Sequence, residues 1–142
     1  MSADQVRQTM DGYMEALIAR GDYGRFFADD IAFSIVGTDQ QLTGAQGAEQ
    51  AIRFIHQVAF DAHPELVNLV LGERGAAAEA VFAGTHIGEF AGIPATGNAV
   101  RVPYSVFYEL DGAAITALRI YLPMDQLIEQ MRRPAATSSA GA

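Results

Sequence analysis

The apolar period of this chain changes once, near its middle, and that change constrains the fold more than any other feature. Before residue 64, apolar residues recur every three or four positions; after it they mostly alternate. Val6, Met10, Tyr13, Met14, Leu17 and Ile18 share one helical face, with Arg7, Asp11 and Glu15 opposite as i,i+4 neighbours. Ser2 with Gln5 forms a capping box for that helix. Gly21 suits its stop, and Asp22 is placed to cap a second, short helix through Phe26 and Phe27. A strand is predicted over 31–36 and a turn over 37–41. Thr43 with Gln46 predicts another capped helix, carrying Ala48, Ile52, Ile55 and Ala59 on one face. His63-Pro64 is expected to end it, because a residue before proline avoids the helical region.

Strands are predicted over 65–71, 78–88, 99–110 and 115–122, with a turn at 73–75. Asp111-Gly112 is a strong hairpin signal. The segment 88–98 holds Gly88, Gly92, Pro94 and Gly97 and reads as a flexible loop, placed to act as a lid. Pro123 ends the last strand, and Asp125 is expected to cap a short helix over 125–132. From 134 to 142 the residues are small and polar, which predicts a disordered tail after one domain over 1–133. Helices first and hairpin-linked strands afterwards argue for an α+β fold. The expected arrangement is a curved antiparallel sheet with helices on its concave face around an apolar cavity.

Composition narrows the function. The chain has 142 residues, enough to bury a core without cross-links. It has no cysteine, which excludes thiol nucleophiles, disulfides and thiolate metal sites. It has no lysine, which excludes Schiff-base and P-loop lysine chemistry. A net charge of −8 disfavours nucleic acid and anionic membrane surfaces. No apolar run is long enough for a membrane span and the first ten residues are polar, so a soluble, cytoplasmic protein is expected. Three scattered histidines make no metal motif, and no cofactor is expected. His56 reads as a packing or exposed residue beside its helix stripe, and His63 as a structural loop residue.

The run Gly84-Thr85-His86-Ile87-Gly88-Glu89-Phe90-Ala91-Gly92-Ile93-Pro94-Ala95-Thr96-Gly97 resembles the signature of SnoaL-like polyketide cyclases and ester cyclases. Asp111-Gly112 to Ile115, Arg119 to Tyr121 and Asp125-Gln126-Leu127 fit the same pattern, and the element order resembles the nuclear transport factor two-like cone fold. The resemblance covers roughly 5–132 and implies a cone-shaped sheet around a cavity. In relatives similar to limonene epoxide hydrolase, a tyrosine and an asparagine on the first strand help hold the attacking water; Phe33 and Ile35 match those positions. An arginine and an aspartate precede the loop there, where Gly84 and His86 stand here. A further aspartate is matched by Ile120. Steroid isomerase relatives place a base aspartate where Ile35 stands, and their first-helix tyrosine is matched by Tyr13. SnoaL-type aldol cyclases use an aspartate on the strand after the loop, where this chain has no acid between Ala99 and Phe107.

The residues left to carry chemistry are therefore few. By strand alternation Phe82, Gly84, His86 and Gly88 share the face expected to line the cavity, and an imidazole there can act as acid, base or donor. Tyr104 and Tyr108 share a face, and Tyr13 lies on the apolar face of the first helix. His86, Tyr13 and Tyr104 are the catalytic candidates; core packing with a satisfied hydroxyl is the competing reading for the tyrosines. Met14, Phe33, Ile35 and Phe82 are the expected apolar substrate contacts, joined by Glu89, Tyr108 and Ile120. The resemblance implies a cofactor-independent cyclase acting on a hydrophobic, polyketide-like intermediate in an antibiotic-type biosynthesis. Acid/base cyclisation and cyclisation by substrate folding, including cycloaddition, are both compatible with these residues. A non-catalytic small-molecule-binding module is the alternative, ahead of an isomerase or epoxide hydrolase. Apolar residues on both sheet faces, such as Phe107 beside Tyr108, predict a homodimer.

Overall fold

The computed structural model describes residues 2–134. The first helix, α1 (Ala3–Ile18), starts with the predicted capping box, Ser2 Oγ accepting from the Gln5 backbone N–H. A single 3-10 turn (Tyr23–Phe26) leads into β1 (Phe27–Ile35); Asp22 makes no side-chain cap to it. A short β2 (Gln41–Thr43) hairpins back on β1 and is followed by α2 (Ala45–Arg53). Thr43 does not cap α2, because its backbone pairs with Ala32 and Gly44 takes the cap position at φ +119°.

Helix α2 widens into a π-helical turn over Phe54–Ala59 and stops there, four residues short of the expected end. Phe60, Asp61 and Ala62 alternate buried, exposed, buried and form β3, so His63-Pro64 separates two strands instead of ending a helix. Strand β4 (Glu65–Leu71) follows, then β5 (Gly75–His86), β6 (Ala99–Asp111) and β7 (Ala114–Tyr121). Pro123 takes the cap position of α3 (Met124–Arg132), and Asp125 lies in its first turn, favourably near the helix N-terminus. The expected tail lies outside the described residues except for Pro134.

The strand order is β2-β1-β7-β6-β5-β3, with β4 also paired to β5. The long strand β5 is met along one edge by two successive segments, β4 against its first half and β3 against its second. The sheet is mixed, not purely antiparallel as expected: β1 runs parallel to β7, pairing Ile35 with Ile120. Hairpin signals dictate pairing only between neighbours in sequence. The contact between the first strand and the last joins through the whole intervening chain, and that connection permits a parallel pair. Register shifts in β1, β4 and β6 mark bulges, which raise local twist and curl the sheet into a half-barrel.

Alternation along β5 and β6 sets the inner face. Ala76, Ala78, Ala80, Phe82 and His86 are buried from β5, and Val100, Val102, Val106, Tyr108 and Leu110 from β6. Helix α1 adds Val6, Met10 and Tyr13 to the same core. No helix is long and apolar enough to cross a membrane among the described residues.

Candidate functional site

At one end of the half-barrel the helices do not fill the concave face, and a cavity of about 560 Å³ remains. Phe33 and Ile35 enter it from β1, and Ala51, Phe54 and Ile55 from α2 and its π turn. The loop after β5 supplies Glu89, Phe90, Ala91 and Gly92, and Met124 closes the wall from the start of α3. Thr38 and Gln40 line the rim, but the Thr38 hydroxyl is already spent on the Ile35 carbonyl at 2.7 Å. Among the described residues, Glu89 is the only ionisable side chain of the lining. From the first strand the cavity meets an aromatic ring and a branched alkyl group.

The wall loop is held at its far end. The His86 N–H donates to the Asn98 carbonyl at 2.9 Å, and the Gly97 N–H donates to the His86 carbonyl at 2.9 Å. The Asn98 side-chain amide reaches the carbonyls of Met131 and Arg133 at 2.9 and 2.7 Å, satisfying acceptors left free at the end of α3. Within the loop, Phe90 and Ile93 exchange backbone hydrogen bonds, and Ala91 sits at φ 52°, a left-handed conformation that side chains rarely adopt.

His86 is fully buried, and its ring packs on Phe60 with centroids 5.2 Å apart. Its Nδ1 accepts the Thr96 backbone N–H at 3.2 Å and lies 2.9 Å from the Thr96 hydroxyl. Because Nδ1 is an acceptor, the ring hydrogen resides on Nε2. His86 does not itself line the cavity; it stands behind Phe60, which in turn meets the cavity residue Phe90 at 5.2 Å.

The structure thus divides the expected site. Phe33, Ile35 and Glu89 line the cavity, and Ile120 packs beside Ile35 through the parallel pairing. Phe82 lies deeper, edge to face with Phe60 and Tyr104. Met14, Tyr104 and Tyr108 border a separate, narrow crevice of about 30 Å³ beneath the C-terminal half of α1. Tyr13 is in the core, 5.7 Å from the Tyr108 ring. Burial, with smaller contributions from neighbouring phenols, pushes the Tyr13 and Tyr108 hydroxyls far above the usual range. Burial pushes Tyr104 up to about 12. All three phenols are neutral near pH 7 and can donate hydrogen bonds, but none is a base.

Sequence reasoning named none of Thr38, Gln40, Ala51, Phe54, Ile55 and Met124 as cavity residues, and from the 88–98 loop it named Glu89 but not Phe90, Ala91 or Gly92. Phe54 falls outside the Ala48-Ile52-Ile55-Ala59 stripe, and only the widened π turn brings it to the cavity. Among the described residues no group of His, Asp or Glu is arranged to hold a metal ion.

A sequence profile of the SnoaL-like polyketide cyclases matches residues 8–130. A candidate SnoaL-like polyketide cyclase from Jannaschia sp. CCS1 superposes with a TM-score of 0.81 at 17% identity, over 92% of this chain and 94% of that one. TsrD from Streptomyces laurentii gives 0.76 at 21% identity, over 93% and 98%. An epoxide hydrolase of the limonene type from M. tuberculosis gives 0.71 at 15%, over 96% and 95%. At these identities the superpositions speak for the fold, an α+β cone of the nuclear transport factor two-like type. No curated protein sequence matches the chain. The matched span takes in most of α1, the cavity wall and nearly all of α3, and on it the chain belongs to the SnoaL-like polyketide cyclase family.

Proposed function

We propose that this protein is a cofactor-independent cyclase that folds a hydrophobic, polyketide-like intermediate into a reactive conformer inside the cavity. The observation that carries this reading is the cavity wall itself: a volume of about 560 Å³ walled by Phe33, Ile35, Phe54, Ile55, Phe90 and Met124, with Glu89 as its only ionisable group among the described residues. A wall of that kind binds and orients; it offers little acid or base. Holding two reacting ends together contributes about 7–11 kcal/mol in favourable cases, which is large enough to drive a cyclisation without a strong base. His86, fixed by Thr96 with its ring hydrogen on Nε2, helps from behind the wall, positioning Phe60 and through it the cavity residue Phe90. The tyrosines lie farther from this cavity and take a supporting part, as packing or as neutral donors.

The same wall favours one other reading, a binding module that holds its ligand unchanged. Incubating the protein with extracts containing linear polyketide intermediates, followed by a chromatographic and mass-spectrometric time course, separates the two. A cyclase yields a product of equal mass and altered retention. A binder leaves mass and retention unchanged, and an epoxide hydrolase adds the mass of water. Unchanged retention across all intermediates overturns the cyclase.

We further propose a cytoplasmic homodimer formed through the outer face of the sheet. Phe107 and Tyr121 are 45% and 42% exposed there and form an edge-to-face pair at 5.6 Å. Sedimentation at micromolar concentration is expected to give twice the chain mass, and Phe107→Glu to return it to the monomer. A wild-type monomer at that concentration contradicts the proposal.

A further inference from the structure

Among the described residues, Glu89 is the one charged group of the cavity lining, and no cation of the chain answers it. Arg20, Arg53, Arg101 and Arg119 are paired with other acids, and Glu89 takes part in no ion pair among the described residues. The sequence after Pro134 carries no basic side chain. The place of Glu89 is fixed by its two neighbours. The Gly88 N–H donates to the Ala59 carbonyl at 3.0 Å, and a side chain at Gly88 would run into the Val58 carbonyl. On the other side, Phe90 exchanges backbone hydrogen bonds with Ile93 at 3.0 and 2.9 Å. The chain is thus pinned on both sides of Glu89, once against the π turn and once within the loop. The residue itself stays exposed, at the lip of the cavity.

A carboxylate fixed at the lip of an apolar cavity selects for positive charge and needs little further ordering to do so. A ligand cation at the lip keeps part of its hydration, so the cost of burying a charge stays small. Phe33, Phe54 and Phe90 line the same cavity, and aromatic ring faces attract ammonium groups. The net charge of −8 draws cations towards the molecule and repels anions. A metal ion does not fit this place. Hard cations take several oxygen ligands, and no group of three His, Asp or Glu side chains is arranged to hold one among the described residues. The cation that fits is an organic one.

We propose that the cavity takes a hydrophobic ligand bearing a basic aliphatic amine, with its apolar body against the phenylalanine rings and its ammonium group paired with the Glu89 carboxylate at the lip. This rests on the cavity reading above and names a substrate class for it. The substrate is an aminated intermediate, cationic at neutral pH because an aliphatic amine ionises at about pH 10. Glu89 is then a specificity-determining residue: it holds the charged end at the mouth, so that the uncharged remainder is the part that enters and folds. A neutral analogue of the same shape binds less tightly, and a carboxylate least of all.

The test uses three probes that share one rigid apolar body: 1-aminoadamantane, 1-adamantanol and adamantane-1-carboxylate. Each is titrated calorimetrically into the intact protein at pH 7 and low salt. The wild type is expected to bind the amine about fivefold more tightly than the alcohol, and the carboxylate more weakly than either. Added salt is expected to shrink that preference. Glu89→Gln is expected to abolish it by weakening the amine and leaving the alcohol unchanged. Glu73→Gln removes the same charge from the exposed turn at the opposite end of β5, and is expected to keep the preference. The wild-type comparison decides without either variant. Amine and alcohol bound alike, or a preference that survives Glu89→Gln, overturns the inference and leaves the cyclase reading standing. A preference lost equally in Glu73→Gln belongs to the overall charge and overturns it too. Binding of none of the three probes overturns the cavity reading as well.

Discussion

Tyr13→Ala is expected to lose about 3–5 kcal/mol of folding stability, the cost of deleting a large aromatic side chain from a packed core. Tyr13 is 1% exposed, and its ring meets those of Tyr23, Phe26, Phe27 and Tyr108 at 5.7–6.4 Å. These contacts tie α1 to the start of β1 and to β6, so the loss falls on the joint between helix and sheet. Tyr13→Phe keeps every ring contact and removes only a hydroxyl, and it is expected to melt within a few degrees of the wild type. Denaturant unfolding of the two variants checks this. A small loss for the alanine variant contradicts the packing account. A phenylalanine variant that folds normally but loses turnover restores a catalytic phenol.

The same residue shows what the sequence could and could not convey. Helical spacing correctly placed Tyr13 on the buried face of α1, and alternation correctly placed Tyr104 and Tyr108 on the inner face of β6. Neither pattern says how far along the half-barrel a side chain stands. Tyr108 pairs with Ala76 near the beginning of β5, whereas His86 lies at its far end. The cavity is at the loop end, so the phenols and the cavity residues separate. Strands β4 to β7 were legible because Asp111-Gly112 and the turn at 73–75 force neighbouring strands to pair. The β1–β7 pair, the π turn and β3 were not, since each depends on contacts with distant sequence.

Of the cavity lining, Phe33 and Ile35 were named through the resemblance, which locates positions relative to a fold, and Glu89 through its place at the edge of the 88–98 loop. Ala51 and Phe54 had no such guide. His56 was read as a packing or exposed residue beside a regular helical stripe; on the π turn its ring packs on Phe82 and its Nδ1 meets the Ile52 carbonyl.

Gly84 stands where the sequence resemblance places the arginine of the epoxide hydrolase relatives, and introducing an arginine here is expected to unfold the protein. A Cβ on Gly84 would lie 2.5 Å from the Asp61 carbonyl oxygen and 2.8 Å from the Ala62 Cα. Both atoms are backbone of β3, which pairs with β5 at this point through Ala62 and Gly84. A flexible side chain could step aside, but a paired strand cannot. Gly84→Ala is expected to cost about 1–3 kcal/mol, the usual range for overpacking. Gly84→Arg adds the bulk and the desolvated charge of a guanidinium, which is large against a total stability of about 5–15 kcal/mol. Chemical denaturation of both variants, with the loss ordered arginine above alanine, is the expected result. A Gly84→Arg protein as stable as the wild type would mean that β3 yields, and that the water-activating chemistry of the hydrolases remains open to this fold. If the loss appears, the close approach of β3 accounts for glycine at this position, and with it for a cavity that must work by shape and neutral hydrogen bonds.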